Sequence, residues 1–466
     1  MKKTRVFLLI LLISISLLLA SQYLLDTDYF WHIKAGEYMF NNGILTHDVF
    51  SWFMYGKYWM SHEWLFEIIL YSLKLVFGDY HIIVYAFICL SLLFLILFSL
   101  NREGYSKNIF YTLLFLVLFV TMAFGFVQAR PHLFSYSLLA LTIYLCLDLY
   151  KNKDSKKIYF LPLITIIWAN VHGGSSNLSY LLCGLFLVCG FCNFKLRKIE
   201  SERISKKQIY RYLLVIILCM IGVCINIHGF KMFIYPYENI LDTTMLKNIA
   251  EWQPTSYMVM YHHVYYVYLL FIIITMLISS KKIKLIDLML LVIGAYLGLR
   301  SVRFWLYSPI MMSFIIFDYV KEFKVSSKII YIFSGLIPII LGISIYSFIN
   351  RNITYTLNIS NDVVKIIEEV KPKRLFNTYD YGGELIYHNI PVFIDGRADL
   401  YSKYSLKDYF DVSNLRNNYE EIINKYNFDY LIVSKRYEMY NYFKNNPEYE
   451  LIYKDKKLGI YKKTVN

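Results

Sequence analysis

Long apolar runs recur through the first 350 residues of the chain, and they constrain its fold more than any other feature. A helix needs roughly 20 apolar residues to cross the hydrocarbon core of a bilayer, so a chain with many such runs has to bury them in lipid. The composition agrees with this, since 57% of the 466 residues are hydrophobic and 18% are charged, where a soluble domain has about 25% charged residues. We therefore expect an α-helical polytopic membrane protein.

The apolar runs predict about 11 transmembrane helices. They are Val6–Leu24, His81–Leu100, Ile109–Phe126, Leu133–Tyr150, Ile158–Asn170, Leu178–Phe194, Tyr212–Ile225, Val264–Ile278, Leu285–Leu299, Phe304–Phe317 and Ile329–Phe348. Loops rich in Lys and Arg alternate with loops that contain few of them, and the positive-inside rule assigns the basic loops to the cytoplasm. We therefore expect a multi-pass protein of the cell membrane with a cytoplasmic N-terminus. The first run also fits a cleaved signal peptide, but we expect it to be retained.

The net charge of +14 belongs to this topology signal. The segment from Ser360 to Asn466 is close to neutral, so nearly all of the excess lies in the first 359 residues, much of it in short loops between apolar runs. Such a distribution makes no continuous surface for phosphates, and we expect no nucleic-acid partner.

The composition becomes that of a soluble protein from Asn361 onward. The pattern predicts helices at Val363–Val370, Glu384–His388 and Tyr419–Tyr426, strands at Arg374–Tyr379, Val392–Ile394 and Tyr430–Ser434, and a closing hairpin of Glu450–Tyr453 and Gly459–Tyr461. This alternation predicts a small α/β domain with a mainly parallel sheet. Residues 1–350 would then form the transmembrane domain, with 26–64 as its first external loop, and 351–466 an extracytoplasmic soluble α/β domain. Asp395 and Arg397 follow a predicted strand, where they either contact an acceptor or form an internal ion pair.

Ionisable and polar residues concentrate in the loops that the charge rule places outside. The first loop contains Asp26, Asp28, His32, Asp48, His62 and Glu63, and the later outward loops contain Arg130, His132, His172, His228, Glu251, Arg300 and Arg303. Such residues beside membrane spans usually line a cavity or pathway, although any single one could be an interfacial anchor. Because they recur in five successive outward loops, we predict a shared site.

The first external loop is the most informative of these segments. Asp26 and Asp28 follow the first span directly, and a carboxylate pair at this depth could bind a divalent cation, Mg²⁺ or Mn²⁺, or deprotonate an acceptor hydroxyl. Later in the loop comes His62-Glu63-Trp64, followed by Leu65–Phe77, which is apolar but short for a span and is typical of a helix lying in the membrane interface.

These features of the loop resemble the GT-C class of membrane glycosyltransferases, and within it the branch of aminoarabinose transferases and protein O-mannosyltransferases. In that branch the first external loop opens with acidic residues, and a second acidic residue precedes the apolar stretch that leads to the next span. Asp28 matches the first position and Glu63 the second. The sequence departs from the aminoarabinose branch at His62-Glu63-Trp64, where that branch has Glu-Lys-Pro.

The resemblance implies inverting transfer of a sugar from a polyprenyl-phosphate donor to an envelope glycan, lipid or protein, with membrane lipids around the enzyme. Asp28 and Glu63 would then be catalytic, and Arg130, His132, His172, His228, Arg300 and Arg303 would bind the phosphate. His172 and His228 belong to Asn-X-His-Gly motifs whose alternative role is capping the ends of two spans. A non-enzymatic transporter or assembly factor for envelope polysaccharide is the rival class, but it predicts mid-span charges and internal repeats, and we see few such charges and no convincing repeat.

Overall fold

The computed structural model describes residues 2–21, 26–100, 109–123, 125–320, 358–416 and 418–464, and also the isolated helical positions 339, 342 and 346. Its helices up to residue 320 are α1 (Lys2–Ser21), α2 (Asp28–Asn42), α3 (Trp64–Phe77), α4 (His81–Leu100), α5 (Ile109–Ala123), α6 (His132–Lys151), α7 (Leu161–Val171), α8 (Leu178–Phe191), α9 (Lys206–Cys224), α10 (Phe230–Leu241), α11 (Thr243–Asn248), α12 (His263–Ile278), α13 (Leu285–Arg300) and α14 (Tyr307–Tyr319). The helices after residue 358 are α15 (Asn361–Val370), α16 (Gly382–Tyr387), α17 (Ala398–Tyr401), α18 (Leu406–Ser413), α19 (Tyr419–Tyr426) and α20 (Met439–Asn445).

Each predicted span from Val6–Leu24 to Phe304–Phe317 overlaps one of these helices, whereas Ile329–Phe348 lies outside the described residues apart from the three isolated positions. Among the described residues, five helical runs are long and apolar enough to cross a membrane, namely Trp64–Ser99, His132–Lys151, Gly173–Phe191, Lys206–Cys224 and Met260–Ile278. Arg5–Ser21, Tyr111–Ala123 and Lys157–Val171 are shorter apolar helices. Ten of the eleven predicted spans therefore overlap helices within the described residues, and the total of eleven spans is not confirmed.

The chain divides into two compact units. The first, which we name the helical unit, comprises Met1–Leu24, Val76–Tyr237 and Ala250–Asn352. The second, the mixed unit, comprises Leu25–Leu75, Glu238–Ile249 and Ile353–Asn466. Segment 26–64 and the tail thus belong to the same unit although about 280 residues separate them in the chain.

In the helical unit, α6 is a central element that contacts α4, α8 and α14. Two buried hydroxyls of the unit donate to the carbonyl four residues earlier, Ser16 to Leu12 and Thr142 to Leu138, so these two bring no unsatisfied donor into an apolar surrounding. A small sheet adds to the predicted helices. Its strands are β1 (Phe194–Leu196), β2 (Ile199–Ser201) and β3 (Ile283–Lys284), with β1 antiparallel and β3 parallel to β2.

The sheet of the mixed unit corrects the predicted topology. Its strands are β4 (Leu375–Asn377), β5 (Tyr430–Ser434), β6 (Tyr449–Lys454) and β7 (Leu458–Lys463), in the order β4-β5-β7-β6. Strands β4 and β5 are parallel, but β7 is antiparallel to both β5 and β6. The prediction of a mainly parallel sheet is therefore wrong, because the closing hairpin places its second strand directly beside β5.

The segment Val392–Ile394, predicted as a strand, pairs outside this sheet. Val392 forms a bridge with Ser51 of segment 26–64, where Trp52 N donates to Val392 O at 3.0 Å and Val392 N donates to Phe50 O at 3.2 Å. The indole Nε1 of Trp52 also donates to the β4 carbonyl of Leu375 at 2.9 Å. Backbone and side-chain hydrogen bonds therefore join the loop and the tail within the mixed unit.

Candidate functional site

Asp28 is the first residue of α2, and it is partly exposed. Asp26 lies two residues earlier, and its Oδ1 accepts hydrogen bonds from Asp28 N and from Thr27 Oγ1, each at 3.4 Å. A carboxylate in the first turn of a helix is stabilised by the partial positive charge of the helix N-terminus. The predicted base and the predicted cation ligands therefore form one acidic helix start directly after the first apolar helix.

Two glycines of the tail lie against this helix start. A Cβ atom at Gly396 would clash with Asp28 Oδ1, and a Cβ atom at Gly383 would clash with Thr27 O. Gly383 belongs to α16, which packs on α2. The missing side chains therefore allow the tail to approach the carboxylate of Asp28 closely, so the surroundings of Asp28 include tail backbone.

One turn further along α2, His32 lies against two glutamates. Its Nδ1 is 3.1 Å from Glu67 Oε1, and its Nε2 is 3.6 Å from Glu63 Oε2. All three residues are buried, and each offers a metal-ligating atom within 4.8 Å of the other two. Among the described residues, these three form the one group of three or more His, Cys, Asp or Glu side chains that could hold a metal ion. The predicted catalytic residue Glu63 belongs to it, whereas the predicted cation ligands Asp26 and Asp28 do not.

Glu63 also contacts a second histidine. His62 Nε2 is 3.1 Å from Glu63 Oε1, and His62 Nδ1 is 4.0 Å from Asp399 Oδ2 at the start of α17. Burial lowers the pKa of His62, but the hydrogen-bonded Glu63 carboxylate and the nearby Asp399 outweigh that effect and raise it above its ordinary value. Glu63 therefore lies between two imidazole rings, at 8% exposure.

Arg397 forms the centre of a buried ion cluster in the same unit. Its Nε and Nη2 donate to the two oxygens of Asp395 at 2.8 and 2.7 Å, and its Nη1 donates to Asp48 Oδ1 at 2.6 Å. The side chains of all three residues are 0% exposed. Burial lowers the pKa of Arg397, but Asp395 and Asp48 raise it well above its ordinary value, so the guanidinium stays charged. Asp395 and Arg397 thus form an internal ion pair, which is one of the two alternatives that the sequence leaves open.

In the helical unit, two of the predicted phosphate-binding arginines converge on Glu251. Arg130 Nη1 is 2.6 Å from Glu251 Oε1, and Arg303 Nη1 is 3.6 Å from Glu251 Oε2. The guanidinium of Arg303 also stacks over Trp252 at 5.0 Å from the ring centroid. Burial raises the pKa of Glu251, but the two arginines lower it below its ordinary value. The carboxylate therefore stays ionised and holds the two guanidinium groups together.

The remaining cationic candidates lie elsewhere in the helical unit. His132 is the first residue of α6, and its Nε2 is 3.0 Å from Phe126 O. Arg300 is the exposed last residue of α13. In the described part of the chain, the arginines paired with Glu251 are Arg130 and Arg303, so Arg300 stands outside this group.

The two Asn-X-His-Gly motifs cap each other's helices. Asn170 Nδ2 donates to Ile225 O beyond α9 at 2.9 Å, and Asn226 Nδ2 donates to Ala169 O at the end of α7 at 2.7 Å. Asn226 Nδ2 also donates to Asn170 Oδ1 at 3.1 Å. These bonds satisfy carbonyls that the helix ends leave without a partner. The capping alternative therefore describes what the two asparagines do.

The histidines of these motifs are buried at the same helix ends. His172 is 3% exposed, and its Nδ1 is 2.6 Å from Ser135 Oγ, which also accepts from Trp168 Nε1 at 2.8 Å. His228 is 7% exposed. Their burial leaves these rings little surface for a ligand, so the arginines are the better candidates for binding phosphate.

The set of site residues predicted from sequence does not include Glu67. Glu67 is 0% exposed and lies one helical turn after Glu63, and its backbone N donates to Glu63 O at 3.1 Å. The spacing of four residues, which places two side chains on the same helix face, is the signal that could have revealed it. The pairing of Asp48 with Arg397 leaves no comparable signal, because 349 residues separate the two.

No family model matches this chain, and no curated protein matches it. Among solved structures, the chain is similar to the oligosaccharyltransferase of Archaeoglobus fulgidus, crystallised with a tethered acceptor peptide that contains an NVT sequon. The superposition has a TM-score of 0.48 at 14% sequence identity and covers 88% of this chain and 65% of that chain. The chain thus matches less than two thirds of the length of that enzyme. A structural similarity with this TM-score and this sequence identity identifies no family, so we base the proposed function on the chain's own residues.

Proposed function

We propose that this chain is a membrane glycosyltransferase of the GT-C type that transfers a sugar from a polyprenyl-phosphate donor to a glycan, lipid or protein acceptor of the cell envelope. The observation that carries the proposal is the exposure of Asp28. This residue is partly exposed at the start of the helix that follows the first apolar helix, whereas Asp48, Glu63 and Glu67 are buried. Its partial exposure gives an acceptor hydroxyl an approach that the three buried acids do not offer.

The proposed reaction is a single displacement at the anomeric carbon of the donor sugar. The acceptor oxygen forms a bond to that carbon while the bond from the carbon to the phosphate oxygen breaks, and the configuration inverts. The proton of the acceptor hydroxyl moves to Asp28, and the polyprenyl phosphate leaves with the bonding electrons. A positioned general base of this kind accelerates a reaction by about 10²- to 10⁴-fold.

Negative charge grows on the leaving phosphate, and we assign its stabilisation to Arg130 and Arg303. Cationic donors held in place before the reaction stabilise such charge without reorganisation. Glu251 fixes both guanidinium groups by ion pairs at 2.6 and 3.6 Å. A guanidinium has five N–H donors in a planar fork that matches the oxygens of a phosphate. We assign no phosphate contact to the buried His172 and His228.

We propose a different role for Glu63, the second predicted catalytic acid. It is 8% exposed and lies between His32 and His62. A carboxylate enclosed in this way is better suited to orient its neighbours than to receive a proton from an acceptor. We therefore assign the proton transfer to Asp28 and a positioning role to Glu63.

The test is the Asp28→Asn variant, with Asp79→Asn as its matched control. Both changes replace a carboxylate by an amide of nearly the same size, and Asp79 is exposed in the turn that follows α3. Membranes containing each variant would be incubated with a panel of undecaprenyl-phosphate hexoses labelled in the sugar, together with an envelope extract. We expect wild type and Asp79→Asn to consume the label of one donor, and Asp28→Asn to be slower by about 100-fold or more.

Equal rates for Asp28→Asn and Asp79→Asn would remove Asp28 from the proton transfer. A transporter or assembly factor would transfer no label in any of the three proteins, so this experiment also separates the enzyme from the rival class. Protein amounts in the membrane, measured by immunoblot, distinguish a lost base from a lost protein.

A further inference from the structure

We propose that His32, Glu63 and Glu67 form a binding site for one divalent transition-metal ion, Zn²⁺ or Mn²⁺. The three side chains are buried, and each offers a ligand atom within 4.8 Å of the other two. Ligand atoms bind zinc at about 2.0–2.2 Å, so these three atoms would have to move slightly closer together around the ion. This inference does not rest on the proposed function, because it concerns binding and not transfer.

The kind of ligand atoms determines which ion fits the site. One imidazole nitrogen and two carboxylate oxygens are a mixed nitrogen and oxygen set, which suits Zn²⁺ and Mn²⁺. Mg²⁺ and Ca²⁺ prefer sites built from oxygen atoms alone. For a given set of ligands, Zn²⁺ also binds more tightly than Mn²⁺. We therefore expect the order of affinity to be Zn²⁺, then Mn²⁺, then Mg²⁺ and Ca²⁺.

One oxygen atom of Glu67 gives separate evidence for a bound ion. Glu67 is 0% exposed, and its Oε1 is 3.1 Å from His32 Nδ1. Its Oε2 is also buried and has no hydrogen-bond partner among the described residues. A buried carboxylate oxygen without a donor is destabilising. A metal ion between Glu67, Glu63 and His32 would supply the missing partner.

The charges around the cluster also favour a cation. Glu63 and Glu67 bring two carboxylates into a buried region. The guanidinium of Arg397, which belongs to the same unit, is already paired with Asp48 and Asp395. The negative charge of Glu63 and Glu67 is therefore balanced by histidines, or by a bound divalent ion whose charge matches that of two carboxylates.

The two helices hold the ligands in a fixed arrangement. Glu67 lies one turn after Glu63, so both carboxylates are on the same side of the start of α3. On α2, Gly36 follows His32 by one turn, and a Cβ atom at Gly36 would clash with the backbone carbonyl of Glu67. The absence of a side chain at Gly36 therefore lets α2 approach α3 closely enough for His32 to contact Glu67.

The experiment is a metal titration of the purified full-length protein in detergent. After treatment with EDTA and removal of the chelator, ZnCl₂, MnCl₂ and MgCl₂ would be added separately, with binding followed by calorimetry and by the unfolding temperature. We expect one Zn²⁺ or Mn²⁺ per chain and an unfolding temperature that rises with metal concentration, because an ion that binds the folded state stabilises it. The variant Glu67→Gln should bind at least about 10-fold more weakly.

The matched control is Glu37→Gln, an acid on the same helix as His32 whose carboxylate pairs with Lys34 at 2.8 Å. It should bind the metal like wild type. A wild-type protein that binds no ion, or that binds Mg²⁺ as tightly as Zn²⁺, would overturn the proposal and leave a metal-free cluster of a histidine and two glutamates. Equal affinity of Glu67→Gln and Glu37→Gln would also overturn it. If Glu67→Gln does not fold, His32→Asn takes its place with the same expected loss.

Discussion

At the scale of single residues, the arginines of this chain have two different environments. Arg397 has its donors taken up by Asp48 and Asp395 at 0% exposure, so it stabilises the mixed unit and has little capacity for a ligand. Arg130 and Arg303 share one partly exposed carboxylate, with side chains that are 15% and 35% exposed. An arginine needs some exposure to bind a phosphate, so Arg130 and Arg303 are better suited to that role than Arg397.

This difference predicts how the arginines respond to replacement by lysine. Arg130→Lys and Arg303→Lys keep the positive charge but lose the planar guanidinium that binds phosphate through two hydrogen bonds. Loss of one charge-assisted hydrogen bond, worth roughly 1.5–3 kcal/mol, should slow sugar transfer by about 10- to 100-fold. Transfer rates of the variants in membranes would measure this effect.

The control for the lysine variants is Arg300→Lys. Arg300 is exposed at the end of α13 and stands outside the pairing with Glu251, so its variant should transfer sugar like wild type. Full activity of Arg130→Lys and Arg303→Lys would mean that these residues act as interfacial anchors, because lysine also serves as an anchor at the membrane interface.

Local spacing determined which site residues could be predicted. The acidic residues that follow the first apolar run, and the glutamate that precedes α3, follow from neighbouring residues. The contact of Gly396 with Asp28 and the pairing of Arg397 with Asp48 depend on packing between distant segments. No periodicity in the sequence records such contacts, so the buried ion cluster could not be predicted.

At the scale of elements, the close approach of α2 and α3 positions the polar cluster of the mixed unit. The two helices meet where Gly36 lies against the backbone of Glu67. The chain leaves α3 through Gly78, whose positive φ of 56° is a conformation that glycine adopts without strain. The continuation into α4 gives the apolar helical run Trp64–Ser99. The segment Leu65–Phe77 is thus a helix as predicted, and its position in the membrane interface stays a prediction.

We predict that Gly36→Ala separates α2 from α3. The added methyl group would clash with a backbone carbonyl that cannot move aside as a flexible side chain can. Overpacking of this kind typically destabilises a protein by about 1–3 kcal/mol, so the unfolding temperature in detergent should fall. The affinity for Zn²⁺ should fall as well, because His32 would move away from Glu67.

The control for this helix contact is Gly184→Ala in α8, where a Cβ atom would have no neighbour within 4 Å. Alanine favours a helix more than glycine does, by roughly 0.5–1 kcal/mol, so this variant should keep or slightly raise the unfolding temperature. Equal behaviour of the two alanine variants would contradict the close packing at Gly36.

The sequence predicts elements better than it predicts how they pair. Apolar runs predict helices because all turns of such a helix have to be buried. The hairpin of β6 and β7 is predicted by the two short runs on either side of Asp455–Lys457. Pairing with a distant strand has no such local signal. Val392 therefore pairs with segment 26–64, and β7 lies beside β5, where the sequence predicts a mainly parallel sheet.

At the scale of the whole molecule, sugar transfer outside the cytoplasm requires that the protein has a defined orientation in the membrane. The mixed unit contains both Asp28 and the tail. A donor attached to a polyprenyl chain, used outside the cytoplasm, can be reached only if this unit is outside as well. The bias of Lys and Arg between alternate loops predicts this orientation.

Labelling of introduced cysteines tests the orientation. Cys192 and Cys224, the two native cysteines that are not fully buried, would first be replaced by serine. A cysteine at the exposed Lys456 of the tail should then react with a membrane-impermeant maleimide in intact cells. A cysteine at the exposed Lys195 of β1, in a predicted cytoplasmic loop, should react only after lysis. The reverse pattern would place the tail in the cytoplasm and exclude transfer on the outer face.

The most direct measurement of the proposed function is the lipid content of cells that lack this chain. If the chain consumes a polyprenyl-phosphate sugar through Asp28, mass spectrometry of lipid extracts should show one such lipid accumulating in the deletion strain. Complementation with wild type or Asp79→Asn should remove it, and complementation with Asp28→Asn should not. An unchanged set of lipid-linked sugars in the deletion strain, or full complementation by Asp28→Asn, would contradict the proposal.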